Sequence, residues 1–321
     1  MYFLRTAICY NVFNIEVRPE RRSAESMNKK PVYILMCMVI VIWGLDFSVA
    51  KNALATLDPM LLLFCKYIAS VAMVGLIRVT KDRSPLFKIK DIWVFFICVI
   101  FGEILYFYCE YSAMSYMPVS LLSIVLAFVP VVSLIIDRVI YKRRPGRKAV
   151  VGIAVCIVGI SLIIGVDWQV LSQGRILGYL LAFFSVFCWN IYNFVTASLH
   201  GRYSTYTLTL NQLICTCILL LPFALKFPPP ISVFTPTLIG EILFLGLLSS
   251  GVGYLVLVRS LHVLGPTATS VFSNFLPVTT TLFGWLALGE TIAPLQLVGG
   301  AIVIAAGYVV IKEIGKSQES V

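Results

Sequence analysis

Apolar segments of about twenty residues follow one another along almost the whole chain, joined by short connections. Each is long enough to cross a hydrocarbon core of ~30 Å. Ten are legible, at about 32–56, 60–79, 92–112, 118–138, 149–166, 176–199, 205–225, 237–258, 266–288 and 292–311. In lipid every backbone N–H and C=O must be satisfied inside the protein, so such a chain folds as a bundle of spanning helices. Composition agrees. Of 321 residues, 60% are hydrophobic and 12% charged, against about 25% charged in soluble domains. The connections leave no stretch from which a soluble head would fold. The expected class is an all-α polytopic membrane protein with ten transmembrane helices.

The sequence also repeats itself. Ser123-Ile124-Val125-Leu126-Ala127-Phe128-Val129-Pro130-Val131 returns 147 positions later as Ser270-Val271-Phe272-Ser273-Asn274-Phe275-Leu276-Pro277-Val278. The same offset carries Gly152, Ala154 and Ile157 onto Gly299, Ala301 and Ile304, and an offset of 146 carries Trp43 onto Trp189. The expected organisation is a first five-helix repeat at 31–168 and a second at 174–313. A tail at 1–30 precedes them and a short cytoplasmic tail at 314–321 comes after. Five spans per repeat is an odd number, so the second repeat enters the membrane from the opposite side. Inverted repeats of this kind support two related states, each open to one side.

Charge sets the orientation. The net charge of +10 lies in alternate connections: Arg78, Lys81, Arg83, Lys88 and Lys90 in one, and Arg138, Lys142, Arg143, Arg144, Arg147 and Lys148 in another. Arg202, Arg259, Lys312 and Lys316 follow the same side, while the other side holds only Arg175 and Lys226 in its connections. Cationic loops stay in the cytoplasm, which puts both termini inside. These charges therefore orient the chain and give no footprint for a nucleic acid. Residues 1–26 fit neither a signal peptide nor a span, and Met27 stands immediately before the first span. They are expected to be an over-extended start or a disordered tail, with Met1 and Met27 both open as the true start. The nine cysteines are scattered without a C-x-x-C pair. They read as packing residues, with no disulfide and no metal site expected.

Polar residues within apolar helices are costly and so point to function. Asp46 lies in the first span, Lys66 in the second, and Glu103, Tyr106 and Glu110 in the third. Seven residues place Glu103 and Glu110 on one helical face, about 10 Å apart along the axis. Lys66 is open to two roles: neutralising one of the three acids, or holding a substrate carboxylate. The second repeat offers Trp189, Asn190, Asn193, Tyr254 and Asn274, whose amides either bridge helices or line a cavity. Trp43, Trp189 and Tyr106 present aromatic faces to an amine or a ring. Pro130 and Pro277 each remove a backbone donor and disturb the carbonyl four residues earlier. The two kinks either serve packing or flank a central cavity. Gly152, Gly159, Gly299 and Gly300 let helices approach closely, for packing or for a homodimer.

The pattern resembles the drug/metabolite transporter superfamily in its EamA branch, over about 31–313. The resemblance rests on two five-span repeats, on Trp43-Gly44, and on Tyr116-Met117-Pro118-Val119-Ser120 leading to Pro130. Leu288-Gly289-Glu290 followed by Leu297-Val298-Gly299-Gly300 completes it. It implies export or exchange of small metabolites, often amino acids, through a cavity between the repeats, with no cofactor. It also places an acidic residue near the end of span four, where Lys142-Arg143 stands.

Together these readings predict a secondary transporter of the bacterial plasma membrane, an exporter of amino acids or related amines. Its partners are a small-molecule substrate, the lipid bilayer and protons as coupling ion. Efflux of lipophilic cations is the alternative within transport, and a non-transporting receptor or scaffold the alternative outside it. No enzyme is expected: there is no P-loop, and His200 and His262 are poorly placed for an intramembrane reaction.

Overall fold

The computed structural model describes residues 29–117, 122, 125–140, 142, 146–164, 175–226, 228–288 and 293–319, with side chains for all but 284–288 and 315–319. The N-terminal tail with Cys9, together with Pro118, Ser120, Ser123, Gly165, Gly289 and Glu290, lies outside the described residues.

The described residues form helices and no strand. They group in chain order as α1 (Lys30–Leu54), α2 (Pro59–Lys81), α3 (Ile89–Ala113), α4 (Val129–Val139) and α5 (Arg147–Ile164). The second repeat gives α6 (Ile176–Ser198), α7 (Thr205–Lys226), α8 (Pro236–Val263), α9 (266–288) and α10 (Pro294–Glu319). Seven of these, namely α1, α2, α3, α6, α7, α8 and α10, are long and apolar enough to cross a membrane. Local signals start several of them. Asp58 accepts from Met60 N–H at 2.9 Å ahead of Pro59 in α2. Thr235 accepts from Leu238 N–H at 3.2 Å ahead of Pro236 in α8. A capping oxygen takes an orphan donor, and proline at the first helical position loses nothing. α10 runs on through Glu319, beyond the expected end of the second repeat at 313.

Polarity is inside out. Lys66, Glu103, Asn190, Asn193, Asn211 and Gln212 are all buried, while Leu76, Trp93 and Leu225 are each 71% exposed. An apolar exterior around a polar interior is what hydrocarbon demands. The repeats interleave: α1 packs on α8, α6 on α3, α2 on α7, and α5 on α10. The first two pairs are repeat counterparts of each other.

α3 and α8 share a departure from ideal geometry. Val99–Leu105 and Phe244–Val252 are both π-helical, and the second covers the positions 147 residues beyond the first. The prolines also act differently from the expected kinks. Pro130 and Pro277 each stand in the first turn of a new helical segment, Val129–Val139 and Leu276–Leu288. Ahead of Pro277 runs a 3₁₀ segment, Val271–Phe275, and the N–H of Leu276 reaches Ser273 O. The carbonyl that a proline in a regular helix would orphan is thus taken up by tighter winding.

Glycine lets the backbones of the two repeats come together. A Cβ on Gly299 of α10 would stand 2.6 Å from Gly159 O and 2.9 Å from Ile163 N in α5. At Gly300 the nearest atom, Val278 Cγ1, is 3.9 Å away. Gly299→Ala is therefore expected to lose about 1–3 kcal/mol through overpacking against backbone that has no room to yield. Gly300→Ala is expected to hold or gain stability, since alanine is the better helix former by about 1 kcal/mol. Thermal unfolding of the two purified variants checks this; equal melting points would contradict the packing argument.

Candidate functional site

A cavity of about 530 Å³, counted with the space at its mouth, lies between the repeats. α1 contributes Trp43, Asp46, Phe47 and Ala50, and α3 contributes Tyr106, Phe107, Glu110 and Tyr111, with Met114 just beyond its end. The second repeat contributes Trp189 from α6, Ser249 and Tyr254 from α8, and Ser273 and Leu276 from α9. Six residues singled out in the sequence therefore line it: Trp43, Asp46, Tyr106, Glu110, Trp189 and Tyr254.

Rings build most of the wall. Tyr106 and Trp189 lie 4.6 Å apart between centroids, and Trp43 meets Trp189 edge-on at 6.1 Å. Tyr254 meets Trp189 edge-on at 6.3 Å. Trp43 is fixed by its indole N–H, which donates to Ser249 O at 3.1 Å. That carbonyl belongs to the π segment of α8. The ring lies against Gly253, where a Cβ would come within 2.8 Å of Trp43 Nε1. The counterpart contact is tighter still: a Cβ on Gly102, in the π segment of α3, would meet the Tyr192 ring at 2.0 Å. Both glycines make room for a ring that crosses from the other repeat.

Two carboxyls face the cavity. Tyr106 OH donates to Glu110 Oε1 at 2.8 Å. Asp46 Oδ1 is shielded from solvent and has no hydrogen-bond partner. Tyr254, 2% exposed, also has a hydroxyl without a partner.

Glu103 and Lys66 stand elsewhere than expected. The cavity wall carries Glu110 but not Glu103, so the two acids do not share a face of the site. Glu103 sits in the π segment, which adds a residue to its turn and rotates the remainder of the helix by about 100°. Its Oε2 accepts from Tyr67 OH of α2 at 2.5 Å, and its Oε1 has no hydrogen-bond partner. Tyr254 is near enough to act on the same carboxyl from the cavity side. Lys66, fully buried, neither lines the cavity nor pairs directly with an acid. Its ammonium lies 3.6 Å from the centroid of the Phe107 ring and donates to Tyr111 OH at 3.1 Å. Asp46, Glu103 and Glu110 act on it only through space.

The amides also divide. Asn190 Nδ2 donates to Val129 O at 3.1 Å and to Val186 O at 2.9 Å, bridging α6 to the proline corner of α4. Asn193 and Asn274 are buried away from the cavity with both side-chain atoms unpartnered. Sequence reasoning missed Tyr67 and Tyr111, tyrosines in apolar runs that carry no local signal. It also missed Asp137. This buried acid near the end of α4 accepts from Thr267 of α9, close to where the resemblance called for an acid.

At the other end of α3 the repeats are tied together. Arg202 pairs with Asp91 at 2.5 Å, and Tyr203 OH donates to the same carboxylate at 2.9 Å. Lys88 N–H donates to Tyr203 OH at 3.0 Å. Asp82 accepts from Ser204 Oγ, from Thr207 Oγ1 at 2.5 Å and from Ser84 N–H at 2.9 Å. Arg78 Nε donates to Thr207 Oγ1 at 3.0 Å. The connection after α2 is thus clasped to the turn between α6 and α7. The clasp holds the end of α3 at Asp91, whereas the cavity reaches the end at Met114. The turn also brings His200 and His262 together, ring centroids 4.7 Å apart, a meeting that their separation in sequence concealed.

A helical bundle that is apolar outside and polar inside, with a cavity walled by two interleaved repeats, is a multi-pass membrane transporter rather than an enzyme. The chain belongs to the EamA-like transporter family, whose description fits residues 30–165 and again 176–312. It is 27% identical over 283 residues to an "Uncharacterized transporter" of Archaeoglobus fulgidus, covering 88% of this chain and 99% of the relative. It is 25% identical over 295 residues to a "Probable amino-acid metabolite efflux pump" of Salmonella typhimurium, covering 88% and 95%. A solved crystal structure shares the fold at a TM-score of 0.73 and 17% identity, over 88% of this chain and 96% of the other.

Burial, and after it the neighbouring His262, holds His200 down to about 3. A free histidine titrates near 6.5. Between those values the unfolded chain takes up a proton that the folded chain refuses, so this contribution to stability is intact above about pH 6.5 and declines as the pH falls. The Asp82 carboxyl is held below its usual range by Ser204 and then Thr207, and its contribution declines only below about pH 4. The difference in melting between wild type and His200→Gln across pH 7 to pH 5 isolates the histidine, because every other titrating group is common to both. The wild type is expected to lose stability relative to His200→Gln across that interval; parallel curves would show that His200 titrates alike in the folded and unfolded chain.

Proposed function

We propose that this chain is a secondary transporter of the plasma membrane that exports small metabolites such as amino acids or related amines by alternating access. The observation that carries the reading is the composition of the cavity wall. Asp46, Tyr106 and Glu110 come from the first repeat, and Trp189, Ser249 and Tyr254 from the second. A movement of one repeat against the other must then remake the site, which is how inverted repeats expose one site to two sides. The relative named as an amino-acid metabolite efflux pump supports the substrate range.

Ten spans in two inverted five-helix repeats, with both termini in the cytoplasm, put the Asp91–Arg202 clasp on the cytoplasmic side. The cavity then reaches toward the outside, and the state is outward-facing. Glu103 is the proton carrier in this reading. It is buried between Tyr67 and Tyr254, one ring removed from the ligand, where a change of its charge is felt by the cavity wall.

Flux of labelled amino acids and amines in proteoliposomes, with and without an imposed pH gradient, tests the reading. Wild-type protein is expected to show saturable flux that a gradient stimulates. Glu103→Gln, which keeps the shape and most of the hydrogen bonding, is expected to retain a folded melting transition and lose the stimulation. Unchanged stimulation in this variant would remove Glu103 from coupling, and no saturable flux of any substrate from folded wild-type protein would remove the transport reading itself.

A further inference from the structure

Acidic groups outnumber cations in and around the cavity, and the excess has a shape. Asp46 and Glu110 reach the cavity from α1 and α3, and neither is paired with a cation. The nearest buried cation, Lys66, is spent behind the wall on the Phe107 ring and Tyr111 OH. Phe107 and Tyr111 line the cavity while Lys66 does not, so its ammonium reaches the two carboxyls only through space and offers a ligand no direct contact. Trp43 and Trp189 stand at right angles beside the carboxyls, with 78° between their planes. Tyr254 adds a buried hydroxyl that has no partner.

We propose that the cavity takes an arylalkyl amine bearing no carboxylate, its ammonium held by Asp46 and Glu110 and its ring against Trp43 and Trp189. This rests on the transport reading and narrows its substrate class. A carboxylate-facing, ring-walled cavity stabilises an ammonium twice, by charge and by the negative faces of the indoles. The carboxylate of an amino acid finds the opposite. The described wall offers it two carboxyl groups and no cation, so it would be stripped of water without a charged partner. The site discriminates by what it withholds from the zwitterion as much as by what it gives the amine.

Equilibrium binding of radiolabelled phenethylamine to the purified full-length protein tests this, with phenylalanine as competitor. The two differ only in the carboxylate. Phenethylamine is expected to bind saturably and phenylalanine to compete roughly 100-fold more weakly, the scale of an unpaired buried charge. Asp46→Asn is expected to weaken phenethylamine about tenfold or more and to leave phenylalanine unweakened. Equal competition by phenylalanine, or no saturable phenethylamine binding, overturns the proposal, and neither result depends on a variant that must fold. Flux of the same pair in proteoliposomes separates the two readings. Binding of the amine without flux of either compound keeps the ligand class and sinks transport. Saturable flux with equal half-saturation for both keeps transport and sinks the ligand class.

Discussion

Every polar group that this chain carries into the hydrocarbon layer has to find its partner inside the protein. The arrangement grows from that constraint. Asn190 spends its amide on two carbonyls near a helix break. Gln212 joins Tyr192 to Thr196. Ser70 reaches Lys66 O in its own helix and Gly246 O in α8. These bonds stitch helix to helix, and among the buried groups left without a bond are Asp46 Oδ1 and Tyr254 OH in the cavity wall, Glu103 Oε1 behind it, and the amides of Asn193 and Asn274 away from it.

The two π segments are the device that joins repeat geometry to site geometry. Each widens one helix at an equivalent place in its repeat, and each stands beside a glycine that admits a ring from the opposite repeat. In α8 the altered winding presents Ser249 O to the Trp43 indole. In α3 it turns Glu103 toward Tyr67 while leaving Glu110 on the cavity. One local irregularity thus separates a carboxyl that faces the cavity from a carboxyl set behind its wall.

Much of this was legible in the residues, and the losses have physical causes. The helical bundle and the doubled family pattern follow from apolar periodicity and from the proline match. Asp46 and Glu110 stand out because a charge is rare in an apolar run, and Trp43 and Trp189 because they match across the repeats; Tyr106 and Tyr254 carry no stronger signal than the missed Tyr67 and Tyr111. Glu103 was found as a residue and misjudged as to its face, because a seven-residue spacing assumes regular winding and nothing in Val99–Leu105 advertises the extra residue. Lys66 is open in the sequence to two roles, neutralising an acid or holding a substrate carboxylate; α2 lays its ammonium on the Phe107 ring, a choice that depends on helix packing rather than on sequence spacing. The clasp was invisible for a different reason. Arg78, Lys88 and Arg202 already had a sufficient role as orienting charges, and Asp82 and Asp91 meet them only after the bundle has folded.

The clasp also gives the molecule a mechanical character. Asp91 takes Arg202 and Tyr203, and Asp82 takes Ser204 and Thr207, so two acids hold neighbouring residues of the same turn through several bonds each. The opposite end, where the cavity lies, is walled largely by ring faces. Bonds that converge on two carboxylates make the clasped end a stiff joint, which keeps the two repeats in register there.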